Sequence, residues 1–513
     1  MALIDLPAEL ISHIFTYLRD EDVFSARLSS RTLDKASFDY FGRHFFRKKG
    51  FMITTPSLTV LEEIANHKEL SKFVQHVWIN PDCFTLTDFR YEWSEDGGRS
   101  QNDGGDDPED ADSFTDAQTA AAVNRELPQK TNEQIEAYLE CTADYMEVLN
   151  DNYDGRPTPL EARLTTAFAK LPNLTTIGMR RSENHSPYGW SALQKSVGSD
   201  PRQLGPLLPV PSPNLSPSST LFIALLSAVA QTGVQIRRLY TDVIELDNMN
   251  SGQFPRSKLK AACSSMLYLE LNIIRGLLEP TLKPTNLTPR LLDDPSNSEF
   301  GENLVTLLKS MPNLKEIGLQ TLRARSLGHS SIDAINPEKS YPYIAFNRLA
   351  TEAPLPHLTR IKLEKITTTS FTLQTFLQPC AQRLTSLKLR DISLQSTPSS
   401  PGPWRELFDF LLAHCPRLEY ILFYHLMHDA GGVSFVEAEP EARNGETADE
   451  GEEYVVGQAV FEKYSHITLE VKGREAVREK LEEVRERHWY HRPLFSYAMD
   501  EELWHTDTSD EEW

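Results

Sequence analysis

The side chains of this chain that could do chemistry are few and scattered. His425 and His428, and likewise His488 and His491, stand three residues apart and would share a helical face. Neither pair is accompanied by a converging Cys or carboxylate set, so neither reads as a metal site. The run DGGDDPEDAD over 103–112 has the composition of a calcium loop, but it lacks the alternating ligand spacing and the closing Glu that such a loop needs. Cys83, Cys141, Cys263, Cys380 and Cys415 lie far apart with no C-x-x-C pair, the pattern of reduced thiols rather than of a disulfide frame or a zinc site. There is no nucleophile elbow, phosphate loop, dinucleotide fingerprint or H-E-x-x-H. The expectation is no catalytic residue, no metal and no cofactor. The chemistry left to this chain is recognition by surfaces.

Aromatic residues anchor interfaces, and Trp78, Tyr188, Trp190 and Tyr424 are candidates, although isolated aromatics serve cores as readily. Ser186, Ser212, Ser216, Thr288, Thr397 and Ser400 each precede proline. A phosphate there would add charge to a loop, and ordinary loop chemistry explains them equally well.

The elements that would carry a recognition surface begin at residue 6. In LPAELISHIFTYL, Leu6, Leu10, Ile11, Ile14, Phe15 and Leu18 fall at helical spacings, and Pro7 suits a first turn. Asp20, Glu21 and Asp22 then open a second short helix around Val23–Leu28, where negative charge complements the helix dipole. Ser29–Ser30 offers a cap for a third helix from about Arg31 to Lys48, with Leu33, Ala36, Tyr40, Phe41 and Phe45 inward. Three helices in about 45 residues bury themselves poorly, so the unit should lean on the next domain or on a partner.

Beyond it a pattern recurs: a helical run, often a proline, then apolar-x-x-apolar-x-apolar. Copies start at Leu174, Ile236, Met266, Leu314, Leu358, Leu384 and Leu418, with an early copy at Val74. With 40% apolar residues, such a triplet matches by chance in about six per cent of windows, so single hits mean nothing. Linked features decide. Four copies place proline two residues before the leading leucine, in LPNL (171–174), MPNL (311–314), LPHL (355–358) and CPRL (415–418). Proline there stops a helix, and the alternation after it makes one short strand. From Leu174 the intervals are 62, 30, 48, 44, 26 and 34 residues, the short ones near the leucine-rich-repeat period and the long ones holding insertions. Such strands stack in parallel into a curved sheet with helices outside. In LTSLKL, Leu384, Leu387 and Leu389 should face the core and Lys388 the open side. Where the usual repeat buries Asn or Cys, this chain has Ile244, Ile274, Leu322, Ile366, Ile392 and Leu426, so less regular turns are expected.

The formal charge is −22, and three segments carry it: Glu92–Asp116, Glu437–Glu453 and Asp500–Trp513 sum to −23. The remainder is near neutral, and no basic cluster of the kind a nucleic-acid surface requires is visible. No apolar stretch reaches membrane-spanning length. Met1–Leu10 holds Asp5 and Glu9 without a basic flank, so the expected site of action is the cytoplasm or nucleus.

Leu6-Pro7-x-Glu9-Leu10, followed by Ile14, Leu18, Asp22-Val23, Leu28 and Arg31, resembles the F-box motif over residues 4–48. Leu33 departs from it, since many F-boxes carry tryptophan there. Combined with degenerate leucine-rich repeats, the chain resembles the large group of fungal F-box proteins. That resemblance implies the substrate-recognition subunit of an SCF-type cullin–RING ubiquitin ligase. A Skp-family adaptor, and the cullin through it, would dock on Leu6, Pro7, Leu10, Ile14, Leu18, Val23 and Leu28, with Leu18 and Leu28 alternatively holding the helices together. The repeats would bind an unknown protein substrate. A scaffold that holds the adaptor without ubiquitin transfer is the alternative.

The expected α/β organisation is an F-box (1–50), a linker with a possible first repeat (51–91) and an acidic disordered insertion (92–130). A leucine-rich-repeat-like solenoid follows (131–436) with a Pro-rich insertion at 182–219, then an acidic loop (437–453), a strand–helix cap (454–499) and an acidic tail (500–513). If Glu92–Asp116 is solvated, deleting it should leave the thermal midpoint within about 2 °C of the parent, because few buried contacts are lost; differential scanning calorimetry measures this, and a fall of many degrees means those carboxylates are satisfied inside the fold.

Overall fold

The computed structural model describes residues 6–81, 131–149, 157–180, 186–198, 217–244, 256–274, 301–322, 341–395, 402–428, 431–435, 468–487 and 489–491. The acidic segments Glu92–Asp116, Glu437–Glu453 and Asp500–Trp513 lie outside them.

Three helices open the chain: α1 (Ala8–Phe15), α2 (Asp20–Ser29) and α3 (Arg31–Phe46). Ser30 caps α3 by accepting from the Thr32 amide at 3.2 Å, and α2 begins with all three acids in its first turn. The chain then runs without a linker into β1 (Lys48–Met52), α4 (Thr55–Asn66) and β2 (His76–Asn80). Residues 51–91, expected to be linker with a possible first repeat, thus contain a β-α-β unit over their described part. Its first strand, β1, begins at Lys48, where the third helix was expected to end.

Every expected strand forms. After β2 come α5 (Asn132–Leu149), α6 (Pro159–Phe168), β3 (Thr176–Met179), α7 (Trp190–Val197), α8 (Pro217–Thr232), β4 (Arg238–Ile244), α9 (Arg256–Cys263) and β5 (Tyr268–Ile274). Then follow α10 (Glu302–Lys309), β6 (Glu316–Leu322), α11 (Tyr341–Glu352), β7 (Arg360–Glu364), β8 (Thr367–Thr369) and α12 (Ser370–Leu377). The chain continues through β9 (Ser386–Arg390), β10 (Ser393–Gln395), α13 (Pro403–His414), β11 (Tyr420–Tyr424), β12 (Met427–His428) and β13 (Gly431–Ser434). The last elements are β14 (Thr468–Lys472), α14 (Arg474–Arg487) and β15 (Trp489–His491).

The principal sheet has ten strands in the order β1-β2-β3-β4-β5-β6-β7-β9-β11-β14. All pair in parallel except β14, which runs antiparallel to β11. The fold is mixed α/β with a mostly parallel sheet, compatible with a repeat solenoid.

The prolines do more than stop helices. Leu174, Leu314, Leu358 and Leu418 each donate an amide to the carbonyl three residues back, on Leu171, Met311, Leu355 and Cys415, at 3.2–3.4 Å. Each copy is one β-turn with proline at its second position, where a fixed φ is favoured. The following strands alternate as expected. Ile177, Leu239, Leu269, Ile317, Ile361, Leu387 and Ile421 form a buried column across the sheet. Thr385, Ser386 and Lys388 are only half-buried.

A second, five-stranded sheet, β15-β13-β12-β10-β8, was not foreseen. It arises because each of three successive repeats turns a corner on a left-handed residue, Lys365 (φ 57), Asp391 (φ 53) and His425 (φ 47). The amides of Lys365 and Asp391 donate to Arg390 and Tyr424 carbonyls at 2.9 and 3.0 Å. The backbone beyond the corner then satisfies itself by pairing β8, β10 and β12 in parallel. The buried aliphatic column of Ile366, Ile392 and Leu426 therefore needs no Asn ladder, and these turns are regular, contrary to expectation. Ile244 is also buried, while the side chains of Ile274 and Leu322 lie outside the described residues.

The Pro-rich insertion expected at 182–219 is not wholly loop. Tyr188 donates its amide to the Gly50 carbonyl at 2.8 Å, bridging to the β1 edge. Trp190, Leu193 and Val197 of α7 are buried, and α8 starts at Pro217. At the other end Val477, Leu481 and Val484 of α14 are buried as the cap expectation requires. Glu483 pairs with Lys480 at 2.9 Å.

Leu387 is fully buried and Lys388, its neighbour, is not. Leu387→Ala should cost roughly 2–5 kcal/mol through lost burial and a cavity, and Lys388→Ala within about 0.5 kcal/mol; urea unfolding distinguishes them, and the reverse order would place the strand off by one residue.

Candidate functional site

Two surfaces concentrate the recognition chemistry. The first is the N-terminal helical cluster. Its core is Ile11, Phe15, Val23 and Leu33, separate from the core of the array. Arg27 braces the helices: its guanidinium pairs with Asp34 at 2.5 Å and lies 3.4 Å from the Phe41 ring centroid. Such a cation over a partly desolvated ring is worth about 1–2 kcal/mol.

The seven proposed docking residues divide by burial. Pro7 is exposed at the start of α1, Leu10 is 49% exposed and Leu28 89%. Leu6, Ile14 and Leu18 are half-buried, and Leu6 and Leu18 pack on the small core. Val23 is completely buried. It corrects the set, because a side chain inside the cluster offers a partner nothing unless the helices part. Leu28, named alternatively as a strut between helices, holds nothing together. Sequence reasoning passed over Tyr17, 77% exposed, and Phe24, 46% exposed, whose ring packs on Phe45 at 4.8 Å between centroids. An aromatic outside the motif gave no signal of its own. Between α1 and α3 runs an open groove of about 470 Å³, with Leu6 and Ile11 on its apolar side and Arg31 and Lys35 on the other.

The cluster is packed closely against the array. A Cβ on Gly42 would stand 2.3 Å from the Phe73 ring, so α3 packs on that ring as closely as glycine allows. The Arg47 carbonyl accepts from the amides of both Gln75 and His76 at 3.0 Å. These contacts seat α3 directly on the first β-α-β unit of the array.

The second surface is the sheet face turned away from the helices. Its register rows run across strands: Lys48, His76, Thr176, Arg238, Tyr268, Glu316, Arg360, Ser386, Tyr420 and Lys472 in one. Two large rings lie flat in the next row because glycines make room. A Cβ on Gly50 would meet the Trp78 ring at 2.1 Å, and one on Gly178 the Tyr240 ring at 2.1 Å. His76 Nε2 and the Tyr240 hydroxyl are 2.8 Å apart. Burial, with Lys48, Arg238 and Arg180 nearby, drives the His76 pKa down to about 3. Further along the face, Arg360 pairs with Glu316 at 2.8 Å, Lys362 with Glu364 at 3.5 Å, and Lys472 with Glu470 at 3.1 Å. The Tyr420 ring lies between two ammonium groups, Lys388 at 5.4 Å and Lys472 at 5.7 Å.

The remaining candidates bring no chemistry together. His425 bonds Asp391 at 2.6 Å at a strand corner. The His428 side chain, His488, Cys83, the side chain of His491 and the 103–112 run lie outside the described residues. Burial pushes the thiols of Cys263, Cys380 and Cys415 up to about 11, 12 and 12, far from nucleophile values. Among the described residues no group of three His, Cys, Asp or Glu could hold a metal. No described helix is long and apolar enough to cross a membrane. Trp190 is core, Tyr424 nearly so, and Tyr188 is half exposed at the β1 edge.

No family model matches the chain, and no curated protein does. Among solved structures it is similar to a leucine-rich repeat-containing protein from Legionella pneumophila, at 12% identity and a TM-score of 0.22, over 54% of this chain and 72% of that one.

A His76 that folds with a pKa of about 3 against an ordinary 6.5 binds its proton more tightly unfolded. Its contribution is complete above 6.5 and is lost as pH falls through that value toward 3. In NMR the His76 ring carbons should show no titration between pH 5 and 8; a midpoint near 6.5 would mean the ring is open to solvent.

Proposed function

We propose that this chain is the substrate-recognition subunit of an SCF-type cullin–RING ubiquitin ligase. Its N-terminal helices bind a Skp-family adaptor, the cullin joins through that adaptor, and the strand array presents a protein substrate. The chain itself is a non-catalytic subunit. The observation carrying this reading is the apolar surface of the small helical cluster. Leu10, Tyr17, Phe24 and Leu28 are four of the seven large apolar residues most open to solvent among the described residues, and all fall within 19 positions of the chain. A cluster with four core side chains has little stability to spare. Apolar anchors on such a unit match a partner that covers them, with affinity concentrated in a few side chains. The F-box-like spacing of Leu6, Pro7, Leu10, Ile14, Leu18 and Leu28 favours a Skp-family adaptor as that partner. The close packing at Gly42 and Arg47 supports the second half of the reading, because it joins the helices directly to the array that would present the substrate.

Leu10→Asp places an unpaired carboxylate in the docked face, a cost of several kcal/mol and so a loss of adaptor affinity of more than about a hundredfold. Because Leu10 is half exposed, the thermal midpoint should stay put. Adaptor pull-down with the folded variant tests this, alongside mass spectrometry of the parent's partners for cullin and ubiquitinated proteins. Undiminished capture by Leu10→Asp overturns the docking face, and capture with no ubiquitin transfer overturns the ligase role.

A further inference from the structure

The ten-stranded sheet ends on β14, which pairs with β11 and, among the described residues, with no strand beyond it. The Gly473 amide donates to the Glu419 carbonyl at 2.8 Å, one step past the Tyr420–Lys472 register pair. Backbone groups of successive residues point to opposite edges of a strand. Leu469, Val471 and Gly473 therefore turn theirs to β11, and Glu470 and Lys472 turn theirs to the open edge. Side chains alternate between the two faces. Leu469 is buried and Val471 packs on the core, while Glu470 and Lys472 are exposed on the other face, 3.1 Å apart.

We infer that β14 is the seat of a two-fold dimer, in which a second copy of this chain adds its own β14 antiparallel to the first. With the dyad on Val471, Glu470 lies opposite Lys472 of the partner subunit, and Lys472 opposite Glu470 of the partner subunit. Both are hydrogen-bonded pairs, because the outward amides and carbonyls belong to these two residues. Each also sets opposite charges across the strands on the open face. A carboxylate accepts several donors, so Glu470 can keep Lys472 and the Tyr420 hydroxyl, at 3.1 Å each, and still face a second ammonium. On the helix side Val471 meets Val471 of the partner subunit. Moving the dyad by one residue would set Glu470 against its own copy, or Lys472 against its own copy, and like charges directly opposite destabilise pairing. Charges that deter an unrelated strand thus complement one partner in one register.

The helix beside this strand repeats the arrangement. Arg485 of α14 lies 3.5 Å from Asp409 of α13. The flank of α14 opposite Arg485, which carries Ala476, Lys480 and Glu483 by helical spacing, is therefore turned to the open edge. At 1.5 Å per residue against about 3.3 Å in a strand, the helix returns past Val471 about five residues into its length, near Lys480. Two copies of α14 would then run antiparallel across the same dyad. Lys480, which pairs with its own Glu483 at 2.9 Å, would also stand beside Glu483 of the partner subunit. Strand and helix both complement themselves about one axis, as a closed two-fold interface requires. This end lies opposite β1 in the sheet order, so the inference does not rest on the ligase reading.

Sedimentation equilibrium of the full chain tests it, in about 0.15 M salt, where the Debye length is about 8 Å. The mass should approach twice the monomer value as concentration rises. Glu470→Lys alone, or Lys472→Glu alone, turns both symmetric attractive pairs repulsive and should weaken dimerisation by at least about tenfold. An equimolar mixture of those two variants should dimerise again, and so should the exchanged variant Glu470→Lys with Lys472→Glu. Such recovery is not expected if the single variants merely fail to fold. A parent that stays monomeric at about 100 μM, single variants that dimerise like the parent, or no recovery in the mixture and the exchanged variant would each overturn the inference. Adaptor capture through Leu10 is unaffected by any of these outcomes, so the two readings fail separately.

Discussion

Everything in this protein depends on one constraint: a single strand–helix unit cannot bury its own leucines. Each unit presents apolar residues that only the next unit covers, so the strands stack in register until a column such as Ile177, Leu239, Leu269, Ile317, Ile361, Leu387 and Ile421 becomes continuous. A fully buried aliphatic side chain is worth about 1.5–3 kcal/mol, and the gain belongs to the neighbour pair rather than to either unit. The intervals between repeats can vary widely because closing a longer connection costs little.

The same constraint makes the two ends special. An open parallel edge invites pairing with another chain. At the first edge β1 is met by Tyr188, whose amide donates to Gly50, and by the three-helix cluster packed through Gly42. At the last edge the antiparallel β14 carries Glu470 and Lys472, and the charged α14 covers its inner side with Val477, Leu481 and Val484. The N-terminal cluster therefore caps the array. Its inner side chains close one end of it, and Leu10, Tyr17, Phe24 and Leu28 stay exposed on the outside.

On the opposite face, packing sets chemistry. With no helix above it among the described residues, the outward rows hold rings and ions, and glycines decide where rings lie flat. Gly50 beneath Trp78 and Gly178 beneath Tyr240 leave no competing side chain on the neighbouring strand. Burying His76 among three cations keeps it neutral, so it serves as a hydrogen-bonding partner of Tyr240 and adds no charge.

Periodicity by itself determined the strands, because a residue's side of a strand follows from alternation and Leu358, Ile361 and Leu363 could face only the core. The proline-leucine spacing likewise announced the turns, since proline restricts its own φ whatever the surroundings. The capping helix with Val477, Leu481 and Val484 was legible for the same reason, its stripe being a property of the helix alone. Tertiary structure alone decided what depends on distant residues. Helical spacing placed Val23 and Leu28 alike on apolar positions, yet α3 covers Val23 completely and leaves Leu28 in the open. Ile366, Ile392 and Leu426 signalled a missing Asn ladder, but only the stacked left-handed corners show how the backbone is satisfied without it. The meeting of Arg180 and Arg238 around a neutral His76 joins residues more than a hundred positions apart. No local pattern records such a contact, because register between strands is set by the column of leucines beneath them.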